Sequence, residues 1–90
     1  MSKADVKVIH YNPNNNTILC VFNILNNKEG NKIKDEMLPW LIKKYNVYCV
    51  FHNGKLYEYP GLKILEYLLN HKFTYGLYIH TKGAGNPKRI

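Results

Sequence analysis

The sequence lacks the features that would mark several common classes of protein. Only two cysteines, Cys20 and Cys49, are present, which excludes a disulfide-rich scaffold and a metal site made of cysteine alone. No apolar run approaches the roughly 20 residues of a membrane-spanning helix, and the N-terminus has no apolar export segment. We therefore expect a cytoplasmic, reduced chain without a membrane span, and its 90 residues suffice for a single small domain.

Acidic residues are also scarce. Thirteen Lys and Arg residues stand against six Asp and Glu residues, so the formal net charge is +7. Such a balance favours polyanionic partners, namely nucleic acid, anionic lipid or nucleotide phosphates, but it does not choose among them. Arg89 is the only arginine, whereas proteins that read bases and phosphates usually use the arginine fork. A solvated, lysine-rich surface is therefore the simpler interpretation of the charge.

The hydrophobic pattern predicts the order strand, strand, helix, strand, helix, strand. Extended segments are expected at 6–11, 17–25, 47–52 and 75–80, and helices at about 32–45 and 60–72. Trp40 falls on the apolar stripe of the first helix and is expected in the core, while Pro39 predicts either a kink or a helix start near Glu36. Strands that alternate with helices indicate an α/β fold with a mostly parallel sheet of about four strands.

The last predicted strand leads into the most informative segment of the chain. His80 and Lys82 surround Thr81 and are followed by Gly83 and Gly85. An imidazole, an ammonium group and approachable backbone N–H groups are the components of a diphosphate cradle, and parallel sheets bind ligands beyond the carboxyl ends of their strands. The spacing fits neither a P-loop nor a dinucleotide fingerprint. An ordinary C-terminal turn stays open as the alternative.

Two further candidates are weaker. Cys49 and His52 have a spacing found in zinc sites, but their odd separation places them on opposite faces of one strand, so we expect no metal there. Glu58 precedes Pro60 at a junction between strand and helix. Its carboxylate could accept a hydrogen bond from a sugar or ribose hydroxyl, or simply stabilise a helix N-terminus.

Two stretches of the chain together resemble a known family. The segments EYPGLK at 58–63 and LYIHTKGAGN at 77–86 are similar to the E-[FY]-P-x-L-K and L-Y-[LI]-H-[TS]-K-G elements of bacterial and viral glycosyltransferase-like proteins of surface and capsular polysaccharide biosynthesis. The segment KDEMLPWL at 34–41 looks like the helix that precedes these elements. The resemblance covers most of residues 23–87.

This resemblance implies a small three-layer, Rossmann-like half domain that binds a nucleotide diphosphate sugar. His80 and Lys82 would then offset phosphate charge, the backbone at Gly83 would approach the diphosphate, and Glu58 would contact a hydroxyl group. With Thr81, which lies between His80 and Lys82 in the motif, these residues form the predicted substrate-binding set.

The resemblance leaves catalysis open. No D-x-D motif occurs in the sequence, so the catalytic residues are unknown and no cofactor is evident; a divalent metal would need ligands from outside this chain. We expect residues 1–90 to be one domain, the N-terminal part of a larger glycosyltransferase-like fold that further chain or a second chain completes into a transferase. Two alternatives stay open: a small basic nucleic-acid-binding module, and a structural domain that pairs through a sheet edge.

Overall fold

A computed structural model describes residues 6–54, 59–74 and 76–81. These residues form two helices and four strands, in the predicted order. Neither of the described helices has the length and apolarity that crossing a bilayer requires. The elements along the chain are β1 (Val6–Tyr11), β2 (Leu19–Leu25), α1 (Lys28–Leu41), β3 (Asn46–His52), α2 (Tyr59–His71) and β4 (Gly76–His80).

The four strands form one mixed sheet in the order β1-β3-β2-β4. β2 lies parallel to both β3 and β4, and β1 pairs antiparallel with β3 at the edge of the sheet. The prediction of an α/β fold with four strands is therefore confirmed, but the sheet is mixed: β2, β3 and β4 are parallel, as predicted, and β1 is antiparallel. The chain passes from β2 to β3 on one side and then returns across β2 to β4 on the other, so the strand order reverses at β2.

Two apolar clusters cover the two faces of the sheet. Cys20, Phe22 and Ile24 of β2 pack with α1, while Leu19 and Val21 of the same strand pack with α2. The helices lie on opposite faces because their crossovers run in opposite directions along the sheet with the same hand. β2 is consequently buried on both sides, as its continuous apolar run predicts.

Helix α1 begins four residues earlier than the predicted start at 32, and it ends at Leu41. Asn27 caps it, because the Asn27 side-chain oxygen accepts a hydrogen bond from the N–H of Gly30 at 2.7 Å. Pro39 lies inside the helix, so the predicted start near Glu36 is wrong.

The placement of Trp40 in the core is also wrong. The residue is 55% exposed, and the Nζ atom of Lys44 lies 5.3 Å from the centre of its ring. Ile33, Met37 and Leu41 do pack against the sheet. The hydrophobic pattern therefore predicted correctly which face of α1 packs against the sheet, but it wrongly included Trp40 in that face.

The asparagine-rich turn between β1 and β2 has a structural role at the far end of α1. The side-chain amide of Asn16 donates to the carbonyl oxygens of Ile42 and Tyr45 at 2.9 and 3.2 Å, and that of Asn14 donates to Ile42 at 3.0 Å. Carbonyl groups at a helix C-terminus lack intrahelical donors. No basic residue lies in the last turn of α1, so these amides stabilise that end of the helix.

Candidate functional site

The parallel strands end together at one edge of the sheet, which we call the carboxyl edge. β2, β3 and β4 reach it at Leu25, His52 and His80, and both helices begin just beyond a strand that ends there. In open α/β sheets this edge is where ligands bind, at the point where the strand order reverses. β2 is the strand at which the order reverses in this chain.

His80 and Asn23 lie side by side at the carboxyl edge. They are paired residues of the parallel strands β4 and β2, which lie about 4.8 Å apart. Tyr78 and Val21, two residues before each of them, pack in the cluster that α2 covers. Because side chains alternate along a strand, His80 and Asn23 also point toward α2. His80, which is half-buried, and Asn23 are therefore neighbours on the face of the sheet that α2 covers.

The Asn23 amide is buried beneath the first turn of α2. The residue is only 1% exposed, and an added Cβ atom at Gly61 would lie 2.8 Å from its Cγ and 3.0 Å from its Oδ1. Within the described part of the chain, neither Nδ2 nor Oδ1 has a hydrogen-bond partner. Leaving a buried polar group unpaired costs about 1–3 kcal/mol. Such a group indicates a ligand or an ordered water at this position.

A second imidazole lies on the other side of β2. His52 pairs with Leu25 at the end of β3 and is 7% exposed. Its Nδ1 atom accepts a hydrogen bond from the N–H of Gly54 at 3.0 Å, so the neutral ring carries its proton on Nε2. Gly54 has a φ of +93°, which glycine adopts without strain. The N–H of Gly54 therefore fixes the tautomer of His52.

The N-terminus of α2 contributes the positive end of a helix dipole. The helix begins at Tyr59, and its first turn contains no acidic residue. The N–H groups of a first helical turn lack intrahelical acceptors and favour an anion. This helix end, the Asn23 amide and His80 lie on one face of the sheet, which gives the site donors for an anionic or hydroxyl-rich ligand.

Thr81 anchors the chain where it leaves β4. Its backbone N–H donates to the carbonyl oxygen of Asn23 at 3.0 Å, and its Oγ1 accepts from the N–H of Leu25 at 3.2 Å. The residue is 6% exposed. These bonds fix the position of His80 beside Asn23. The predicted contact between Thr81 and a substrate would use the O–H of the same hydroxyl as the hydrogen-bond donor.

The structure describes only part of the predicted substrate-binding set. His80 and Thr81 lie at the carboxyl edge, as the sequence predicts. Glu58, Lys82 and Gly83 lie outside the described residues. Their assignment therefore stays a prediction from the resemblance.

The cysteines take no part in the carboxyl edge. Cys20 and Cys49 are fully buried in the cluster beneath α1, and burial raises the pKa of each thiol to about 12. A thiol that stays protonated is a poor nucleophile. Cys49 and His52 lie on opposite faces of β3, as predicted, and the described residues contain no cluster of three metal-ligating side chains.

Asn23 is the site residue that sequence reasoning missed. The sequence does contain a signal for it, because Asn23 is the one polar residue in the otherwise apolar run from Ile18 to Leu25. A polar residue in a central strand is unfavourable unless something binds it. The apolar character of the run predicts a buried strand but does not by itself indicate a binding role for Asn23.

Comparison with known proteins yields no significant match to a protein-family model, to a curated protein or to a solved structure. The geometry of the carboxyl edge therefore carries the functional proposal.

Proposed function

We propose that the carboxyl edge binds the diphosphate group of a nucleotide sugar, as the resemblance to glycosyltransferase-like proteins implies. The observation that carries this proposal is the position of His80 at the end of β4, on the face of the sheet where α2 begins. Helix N-termini and imidazoles are ordinary ligands of phosphate oxygens. The Rossmann-like character of the fold belongs to the same proposal, and the helix on each face of the parallel strands supports it.

The proposal assigns a role to each member of the predicted set. His80 donates to a phosphate oxygen, and Thr81 holds His80 in place through its bonds to β2. Lys82 offsets phosphate charge, Gly83 allows close approach of the backbone, and Glu58 accepts from a hydroxyl. Binding is the proposed activity of this chain; sugar transfer would additionally need acidic groups from outside it.

Titration calorimetry with a panel of nucleotide diphosphate sugars tests the proposal. We expect binding that His80→Ala and Lys82→Ala each weaken about tenfold or more, since each removes a charge-assisted hydrogen bond to phosphate. His71→Ala is the matched control, because His71 is an exposed histidine at the opposite end of α2. No binding of any panel member, or equal losses in the His80 and His71 variants, would refute the proposal.

A further inference from the structure

The Asn23 amide places a donor atom, Nδ2, and an acceptor atom, Oδ1, in the same buried position. Both Nδ2 and Oδ1 lack partners among the residues that the structure describes. Ionised diphosphate oxygens only accept hydrogen bonds, so a diphosphate could satisfy Nδ2 but would repel Oδ1. A ligand that satisfies both atoms must therefore offer a donor as well as an acceptor.

We infer that the Asn23 amide binds a vicinal diol of the ligand, with Nδ2 donating to one hydroxyl and Oδ1 accepting from its neighbour. A hydroxyl both donates and accepts, so two adjacent hydroxyls match the fork of an amide. This inference rests on the proposed function, because the first turn of α2 and His80 hold the phosphates next to the diol. The diol belongs either to the ribose or to the sugar of a nucleotide sugar.

Gly61 determines access to this position. The first turn of α2 covers the amide so closely that an added Cβ atom would lie 2.8 Å from the Cγ of Asn23. A ligand hydroxyl therefore reaches the amide only when this turn shifts outward. The buried, unsatisfied amide favours that shift, since it gains its hydrogen bonds when the ligand enters.

Calorimetry on the full chain separates this inference from the proposed function. Inorganic pyrophosphate probes the phosphate contacts alone. Uridine and guanosine diphosphate, each compared with its 2′-deoxy form, probe the ribose diol. UDP-glucose compared with UDP-3-deoxyglucose probes the sugar diol, because the 3-hydroxyl belongs to both vicinal pairs of the sugar. We expect the native chain to prefer the intact diol about tenfold in one of these two comparisons, the effect of losing one well-placed hydrogen bond.

Three variants give the decisive outcomes. Asn23→Leu should abolish the diol preference and leave pyrophosphate affinity within about threefold. Asn23→Asp should keep the preference, because a carboxylate accepts from both hydroxyls, and should weaken pyrophosphate binding by repulsion. Asn46→Leu, a buried asparagine at the opposite edge of the sheet, is the control and should change neither.

The negative outcomes are distinguishable. If pyrophosphate and the nucleotides fail to bind, the proposed function is refuted and the diol inference with it. If they bind without any diol preference, or with a preference that Asn23→Leu retains, the proposed function survives and the diol inference is overturned. The Asn23 amide would then hold an internal water only.

Discussion

Asn23 reduces stability in a strand that is otherwise apolar and buried. Its neighbours in β2, from Leu19 to Ile24, are all 0% exposed and apolar. We expect Asn23→Leu to raise the free energy of unfolding by about 1–3 kcal/mol, because leucine has the same number of side-chain heavy atoms and leaves no polar atom unpaired. Urea denaturation followed by circular dichroism measures the change.

The same substitution at Asn46 provides the comparison. Asn46 is also buried, but its Oδ1 accepts a hydrogen bond from the Nε2 of His10, whose ring stacks on Tyr48. Asn46→Leu should lower the free energy of unfolding by about 1 kcal/mol. Equal losses of stability in the two variants would indicate that the Asn23 amide is hydrogen-bonded within the protein and does not await a ligand.

The two buried thiols make stability depend on alkaline pH. Burial raises the pKa of Cys20 and Cys49 from 9.0 to about 12. The unfolded chain loses its thiol protons near the lower value and the folded chain near the higher one. The thiols' contribution to the free energy of unfolding is therefore full below pH 9.0 and is lost as the pH rises to about 12.

Denaturation at about pH 8 and about pH 10.5 measures this dependence. The native chain should lose on the order of 1–2 kcal/mol per thiol over this interval, in addition to what lysines and tyrosines contribute. The double variant with Cys20→Ala and Cys49→Ala should show a smaller loss. Identical losses in both proteins would mean that the thiols ionise alike in the folded and unfolded states.

At the scale of elements, the close approach of α1 to β2 depends on one glycine. A Cβ atom at Gly30 would lie 1.9 Å from the carbonyl oxygen of Leu25, and backbone atoms cannot move aside without displacing the helix. We expect Gly30→Ala to destabilise the fold by about 2 kcal/mol or more. Lys32→Ala is the control, because Lys32 is exposed on the same helix. It should change the free energy of unfolding by less than about 0.5 kcal/mol in parallel thermal or urea melts. Equal stability of the two variants would contradict this packing.

The strands were predictable because their local patterns and their tertiary environment agree. β1 has the predicted bounds, and β2 shows the continuous apolar run of a strand covered on both faces. The start of α1 was not predictable in the same way. Asn27 through Gly30 have the composition of a turn, and only the contact with Leu25 and the cap from Asn27 place them in a helix. A local cap and the close approach of Gly30 to the end of β2, not periodicity, decide that boundary.

The candidate site was predictable in outline only. The carboxyl edge and His80 follow from strand order and chain direction, which the alternation of strands and helices implies. The reversal of strand order at β2 brings Asn23 beside His80. No local sequence pattern predicts that these two residues are neighbours. The position of Gly61 above Asn23 likewise depends on how α2 packs. The site residues therefore become a set only in the folded sheet.

At the scale of the whole molecule, the net charge of +7 attracts any polyanion, so salt dependence distinguishes surface attraction from binding at the carboxyl edge. A single-stranded oligonucleotide that contacts many lysines should lose about a hundredfold or more in affinity between about 50 and 300 mM salt. A nucleotide diphosphate sugar presents two phosphates and should lose about tenfold or less. Fluorescence anisotropy and calorimetry at both salt concentrations measure the two slopes.

The His80→Ala variant separates the two kinds of binding further. It should lower the affinity for the nucleotide sugar and leave the affinity for the oligonucleotide unchanged. If the oligonucleotide instead keeps its affinity at high salt and loses it with His80→Ala, the carboxyl edge is a nucleic-acid site and the diphosphate proposal is wrong.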